Sequence, residues 1–230
     1  MLPTYIIEKY GRRGKMKREL GHFSIGTSYG GNQDWFRTFM MRIGGCGAET
    51  ACDSSLYFAI HRNVENIYPF DAHNLSRKDY VDFAHVMEKY LHPRMTGINR
   101  LDIYVDGYAE YLRDRGVSRI SMDTLAGSEP YDMAAETIIR QIDAGYPVPT
   151  LILNHRDRSL KDYVWHWFLI NGYEETAGTL KVKAVTYSSW QWLDLLRLWD
   201  TGFKDRGGFI LYSDSAESNY NSRRMFPASG

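Results

Sequence analysis

The sequence predicts an α+β fold, with an N-terminal helical layer packed on a mainly antiparallel C-terminal sheet. Three observations predict it. Apolar residues recur at helical spacing up to Ile142, each run closed by Gly or Pro. After Pro147 the period becomes that of strands. Aromatic residues make up 14% of the 230, enough large apolar bodies for a single core. One domain spanning residues 1–230 follows, because chains divide into separate cores only beyond roughly 250 residues.

Taken in order, Lys9 to Arg18 (KYGRRGKMKR) is a basic cluster without period. Residues 1–20 therefore read as a solvated arm. The 28 Lys and Arg balance 28 Asp and Glu, so no overall field draws in nucleic acid or an anionic membrane. Ser28 to Gly31 reads as a turn, Trp35 to Ile43 as an apolar approach and Gly44-Gly45 as a break. A helix opens just after it. Ala48, Cys52, Ser55, Leu56 and Ala59 form a narrow stripe of mostly small residues that suits close packing against another layer. Further helices carry Tyr80, Phe83, Ala84, Met87, Tyr90 and Leu91 up to Pro93, then Ile103, Tyr104, Tyr108, Tyr111 and Leu112 up to Gly116. The last follows Pro130 and stops at Gly145.

Val148 to Asn154, Tyr163 to Asn171, Leu180 to Tyr187 and Gly208 to Tyr212 read as strands, with Glu174 to Gly178 as a hairpin loop. From Asp214 the chain is polar and aperiodic, a loosely held tail over 214–230. No run approaches the roughly 20 apolar residues of a membrane helix. Leu2 to Ile7 is too short for a signal-peptide core, so no export is expected. Cys46 and Cys52 share one helix, where six residues separate Cα atoms by about 9 Å, too far for a disulfide. Reduced thiols place the protein in the cytoplasm.

Two side chains stand out chemically. Cys46, within Gly44-Gly45-Cys46-Gly47, occupies a helix's first turn, where free N–H groups and the helix dipole favour a thiolate. A thiol nucleophile needs an imidazole to take its proton. His166 lies inside VWHWFLI, an inner strand where a polar ring must find partners. His155 is the competing base; His22, His61, His73, His85 and His92 read as surface or locally bonded. Glu49 in the same first turn would raise the thiol's pKa if its side chain pointed that way. No paired-cysteine or H-E-x-x-H spacing and no phosphate loop occurs, so neither metal nor cofactor is expected.

G-G-C-G opening a small-residue helix, then I-D-A-G-Y-P-V, then V-W-H-W-F-L-I-N-G-Y resembles the papain-like cysteine peptidases. Within them it is similar to the bacteriocin-processing branch that cleaves after a double glycine. The resemblance implies a papain-like fold with Cys46 as nucleophile and His166 as its partner. It implies that Ser188, in Tyr187-Ser188-Ser189-Trp190, orients the imidazole beneath a shielding Trp190, where the family has N-S-W. It further implies that Gln33, or Asn32 beside it, completes the oxyanion site, provided Trp35 to Ile43 loops out. The function so implied is a thiol-dependent hydrolase, a peptidase or amidase working through a thioester on a peptide or small acyl substrate. The alternatives are a papain-like acyltransferase and a binding domain that has lost its chemistry.

Overall fold

The computed structural model describes residues 16–95 and 97–215. Strand β1 (Met16–Glu19) and the short pair β2 (Ser24–Ile25) and β3 (Ser28–Tyr29) come first. Helices α1 (Phe39–Gly44), α2 (Cys46–His61), α3 (Arg77–Met87) and α4 (Leu101–Asp114) follow. Then come β4 (Ile120–Ala126), α5 (Tyr131–Asp143), β5 (Val148–Ile152), β6 (His166–Thr176), β7 (Thr179–Thr186), β8 (Ser189–Asp194), α6 (Leu195–Trp199) and β9 (Gly207–Asp214). The fold is α+β, 38% helical and 27% strand.

Seven strands form one antiparallel sheet in the order β4-β9-β5-β6-β7-β8, with β1 pairing β6 beyond the end of β5. The buried strand β5 and the first eight residues of β6 form its centre, as their unbroken apolar runs require. Helix α2 lies against β6 and β5, and α4 against β4 and β9.

The double glycine before Cys46 has a steric cause. Helix α1 runs into α2 at Gly45, whose N–H donates to Met41 O at 2.9 Å. A Cβ on Gly45 would lie 2.2 Å from that carbonyl oxygen, and one on Gly44 would lie 2.5 Å from Arg94 O. Only glycine allows the two helices to meet so tightly. Helix α2 is buried on every side from Cys46 to Phe58, acids included, rather than along a stripe alone. Ser54 and Ser55 donate their hydroxyls to Thr50 O and Ala51 O, both at 2.8 Å, so burial leaves neither unpaired.

Several expectations need correction. Met16–Glu19, within the expected arm, is a strand on β6, its Lys17 bonded to Glu19 at 2.7 Å. Residues 1–15 lie outside the described residues. Trp35 to Ile43 is not a plain approach but a 3-10 turn and a capped helix, Thr38 accepting the Met41 N–H at 3.2 Å. Strands β4 and β8 carry too many exposed polar residues to show an apolar period. Strand β6 begins at His166 rather than Tyr163, because Arg158–Tyr163 coils into a 3-10 turn and Trp165 adopts φ 53°. Asp214 is no tail residue: it closes β9, buried, against Arg119 at 2.6 Å. Residues 216–230 lie outside the described residues. No helix among the described residues is long and apolar enough to cross a membrane.

Candidate active site

Cys46 is the first residue of α2 and His166 the first of β6, and the packing of α2 on β6 brings the two ends together. The Cys46 sulfur lies against the backbone N–H of Trp167, the residue after His166. Both side chains are sealed from solvent, at 4% and 3% exposure. Trp167 fixes the local packing: its indole donates to Ile98 O at 2.6 Å and stacks on Tyr104 at 4.5 Å. Ile98 in turn packs over Gly47, where a Cβ would meet its Cδ1 at 3.0 Å.

Burial pushes the Cys46 thiol up to about 11; the Trp167 N–H opposes this, while the Glu49 charge adds to it. The N–H groups of Gly47 and Cys46 also favour the thiolate but do not outweigh burial. Burial likewise pushes the His166 imidazole down to about 4. Both shifts favour uncharged forms, so the resting site is thiol and neutral imidazole rather than an ion pair.

The imidazole is held from two sides. Its Nε2 lies 2.7 Å from Thr186 Oγ1, and its ring stacks on Tyr187 with centroids 4.7 Å apart and planes 3° from parallel. With Nε2–H donated to the hydroxyl, Nδ1 keeps the lone pair that can accept a proton. The Tyr187 phenol is raised to about 12, by burial first and then by the charge of Cys46.

Of the other residues singled out in the sequence, Ser188 and His155 bond elsewhere. Ser188 does not meet His166. Leu169↔Val185 and Ile170↔Ala184 are paired, and that register continued would set position 188 opposite His166. But β7 ends at Thr186, and the chain turns through Tyr187 and Ser188 with φ 49° and 59°. Ser188 Oγ therefore faces Gly31 O at 3.4 Å, and the diagonal Thr186 takes the ring. Trp190 lies half-exposed on β8, its ring over the buried Lys183, whose Nζ is 4.5 Å from the centroid. Tyr187 covers His166 instead. Gln33 is buried, and one hydrogen of its amide goes to Arg42 O at 2.9 Å, near the end of α1, while its Oε1 has no partner. Asn32 caps the 3-10 turn, its Oδ1 accepting the Asp34 N–H at 2.8 Å. His155 is engaged at both nitrogens, by Arg197 O at 2.8 Å and the Asp157 N–H at 2.9 Å.

Beneath Cys46 the Glu49 singled out in the sequence is joined by Asp53, which the sequence did not announce. Glu49 is buried with Oε2 unpaired, and burial, then the charge of Asp53, raises it well above the usual carboxylate range. Asp53 accepts the Tyr80 hydroxyl at 2.7 Å and the Gly31 N–H at 3.3 Å; burial raises it to about 7. His22, expected at the surface or locally bonded, is buried with neither ring nitrogen paired, 3.9 Å from Asp53. Burial lowers it to about 3, so it supplies no positive charge.

A groove of about 680 Å³ opens beside Trp165, the residue before His166; Asn99, Arg100, Asp102, Lys204 and Arg206 also line it. No cluster of three or more His, Cys, Asp or Glu among the described residues is placed to hold a metal ion. No protein-family model matches the chain, and no curated protein matches it either.

Proposed function

We propose that this chain is a papain-like, thiol-dependent hydrolase, a peptidase or amidase acting on a peptide or small acyl substrate. The observation that carries the reading is the sulfur of Cys46, at a helix N-terminus, set against the N–H that follows His166. Because thiol and imidazole rest uncharged, proton transfer accompanies attack. As Cys46 Sγ bonds to the substrate carbonyl carbon, its proton passes to His166 Nδ1. The oxyanion is met by N–H groups at the start of α2. On collapse the C–N bond breaks, the leaving amine takes the proton from His166, and a thioester remains on Cys46. Water, deprotonated by the same nitrogen, then releases the acid and restores the thiol. An amine in place of water makes the chain an acyltransferase. Unpaired, buried Cys46 and Cys52 suit the reducing cytoplasm.

A second reading is a binding domain that keeps this architecture without the chemistry. What favours it is the pair of shifts toward uncharged forms, together with a Gln33 amide turned to Arg42. Acylation by p-nitrophenyl acetate, followed by mass spectrometry of the Cys46 peptide, separates the two. The enzyme acylates Cys46 about a hundredfold or more faster than His166→Ala. Equal rates leave only the binding domain.

A further inference from the structure

The residues that hold His166 sit at a strained turn, and that turn hangs from a buried carboxylate. Thr186 and Ser189 pair across a two-residue hairpin connection whose central residues, Tyr187 and Ser188, both have positive φ. Asn and Gly ordinarily fill such positions, and an aromatic residue there is strained. External contacts must therefore hold it. Ser188 N–H donates to Gly31 O at 2.9 Å, and Ser188 O accepts the Tyr29 N–H at 3.1 Å. Gly31 is fixed from the other side by Asp53, whose two carboxylate oxygens each lie 3.3 Å from its N–H. The path runs from Asp53 through Gly31 and Ser188 to Thr186 and Tyr187, and both of these touch the imidazole.

We propose that Asp53 is a positioning residue for His166: its carboxylate, acting through Gly31 and the Tyr187–Ser188 turn, sets where the imidazole stands, and a proton on it loosens that hold. The consequence for catalysis rests on the acyl-transfer reading above; the positioning does not. The groups facing Asp53 are Glu49 and Cys52 on its own helix, Tyr80 on α3 and His22 after β1, with His61 and Lys183 acting on His22 behind it. His22 stays uncharged, so the Asp53 carboxylate leans on hydrogen bonds alone. Its titration near 7 puts the change in hold within the working range of a cell.

The test follows the His166 ring nitrogens by ¹⁵N NMR in the full chain from about pH 5.5 to about 8.5. His166 itself titrates near 4, so its own protonation contributes little there. Its resonances should nevertheless move, with a midpoint near that of Asp53. Tyr80→Phe removes a hydrogen bond that lowers the Asp53 pKa, so the midpoint should rise. Asp53→Asn should abolish the transition and slow Cys46 acylation roughly ten- to a hundredfold. If Asp53→Asn does not fold, the wild-type and Tyr80→Phe titrations decide alone. Resonances that stay flat in the wild type, or a midpoint unmoved by Tyr80→Phe, overturn the proposal. A moving resonance without any acylation of Cys46 upholds the positioning and removes only the enzyme reading.

Discussion

Replacing Thr186 with valine keeps the branched shape and removes one oxygen, the one 2.7 Å from His166 Nε2. The imidazole is 3% exposed, so no bulk water replaces the lost hydroxyl. A buried polar group left unmet costs about 1–3 kcal/mol. In a chain of this size each kcal/mol moves Tm by about 2–4 °C, so a loss near 2 kcal/mol should lower Tm by roughly 4–8 °C. Ser188→Ala is the matched control. Its hydroxyl reaches Gly31 O only at 3.4 Å, and the Ser188 N–H already donates to that carbonyl at 2.9 Å. That change should cost under about 0.5 kcal/mol. Urea unfolding at neutral pH ranks the two, and ¹⁵N spectra of the ring report which nitrogen carries the proton. The reasoning fails if Ser188→Ala costs more than Thr186→Val, or if the His166 spectrum is the same with and without the Thr186 hydroxyl.

Other expectations follow from the same corner. His22 is driven down to about 3, so below its ordinary 6.5 the unfolded chain binds a proton that the folded chain refuses. Its contribution to stability is therefore lost as pH falls through that window. His22→Phe, which keeps the ring between Phe23 and Tyr29, should flatten the acid side of the urea midpoint against pH; an unchanged slope rejects this. Gly31→Ala would put a Cβ 1.8 Å from Tyr80 Oη and 2.1 Å from its Cζ. It should cost about 4 kcal/mol or more in urea, unrescued by Tyr80→Phe, and a cost below about 1 kcal/mol refutes that packing. With the thiol near 11, alkylation of Cys46, followed on its own peptide, should quicken about tenfold per pH unit through neutrality. A plateau near pH 7 would mean an ion pair and refute the uncharged site.

Period and punctuation made the α2 start, α5 and the central strands legible, because those elements are buried and end at Gly or Pro. The edge strands β1, β4 and β8 were not legible for the opposite reason: exposed polar side chains leave no apolar alternation to read. At the site, the sequence could mark Cys46 and His166 as unusual for their surroundings, but not choose among hydroxyls. That choice depends on β7 ending at Thr186, and Tyr187-Ser188 carries none of the Gly or Asn chemistry that would announce a tight turn. Gln33 bonds to the carbonyl of Arg42 on helix α1, whose period is too short to detect in the sequence. The direction of the Glu49 side chain, and the pairing of Asp53 with it, could not be read from the sequence. Only the packing of α3 and of the 29–33 segment over their helix face reveals both residues as buried.

The distribution of exceptions is itself an argument about function. Six described non-glycine residues have positive φ, and three of them, Trp165, Tyr187 and Ser188, flank His166 in sequence or space. Among buried polar atoms without a partner, those of Glu49, Gln33 and His22 all lie on or against the first two turns of α2. Elsewhere most of the core's polar groups are paired, as Ser55 with Tyr108 and Tyr111 with Ile67 O, while Tyr68 Oη, His85 Nε2 and Asn171 Oδ1 are not. Strain and unpaired groups each cost stability and persist only where something else requires the arrangement. The positive-φ residues around His166 and the unpaired Glu49 carboxylate beside Cys46 are the part of this pattern that the proposed chemistry would explain.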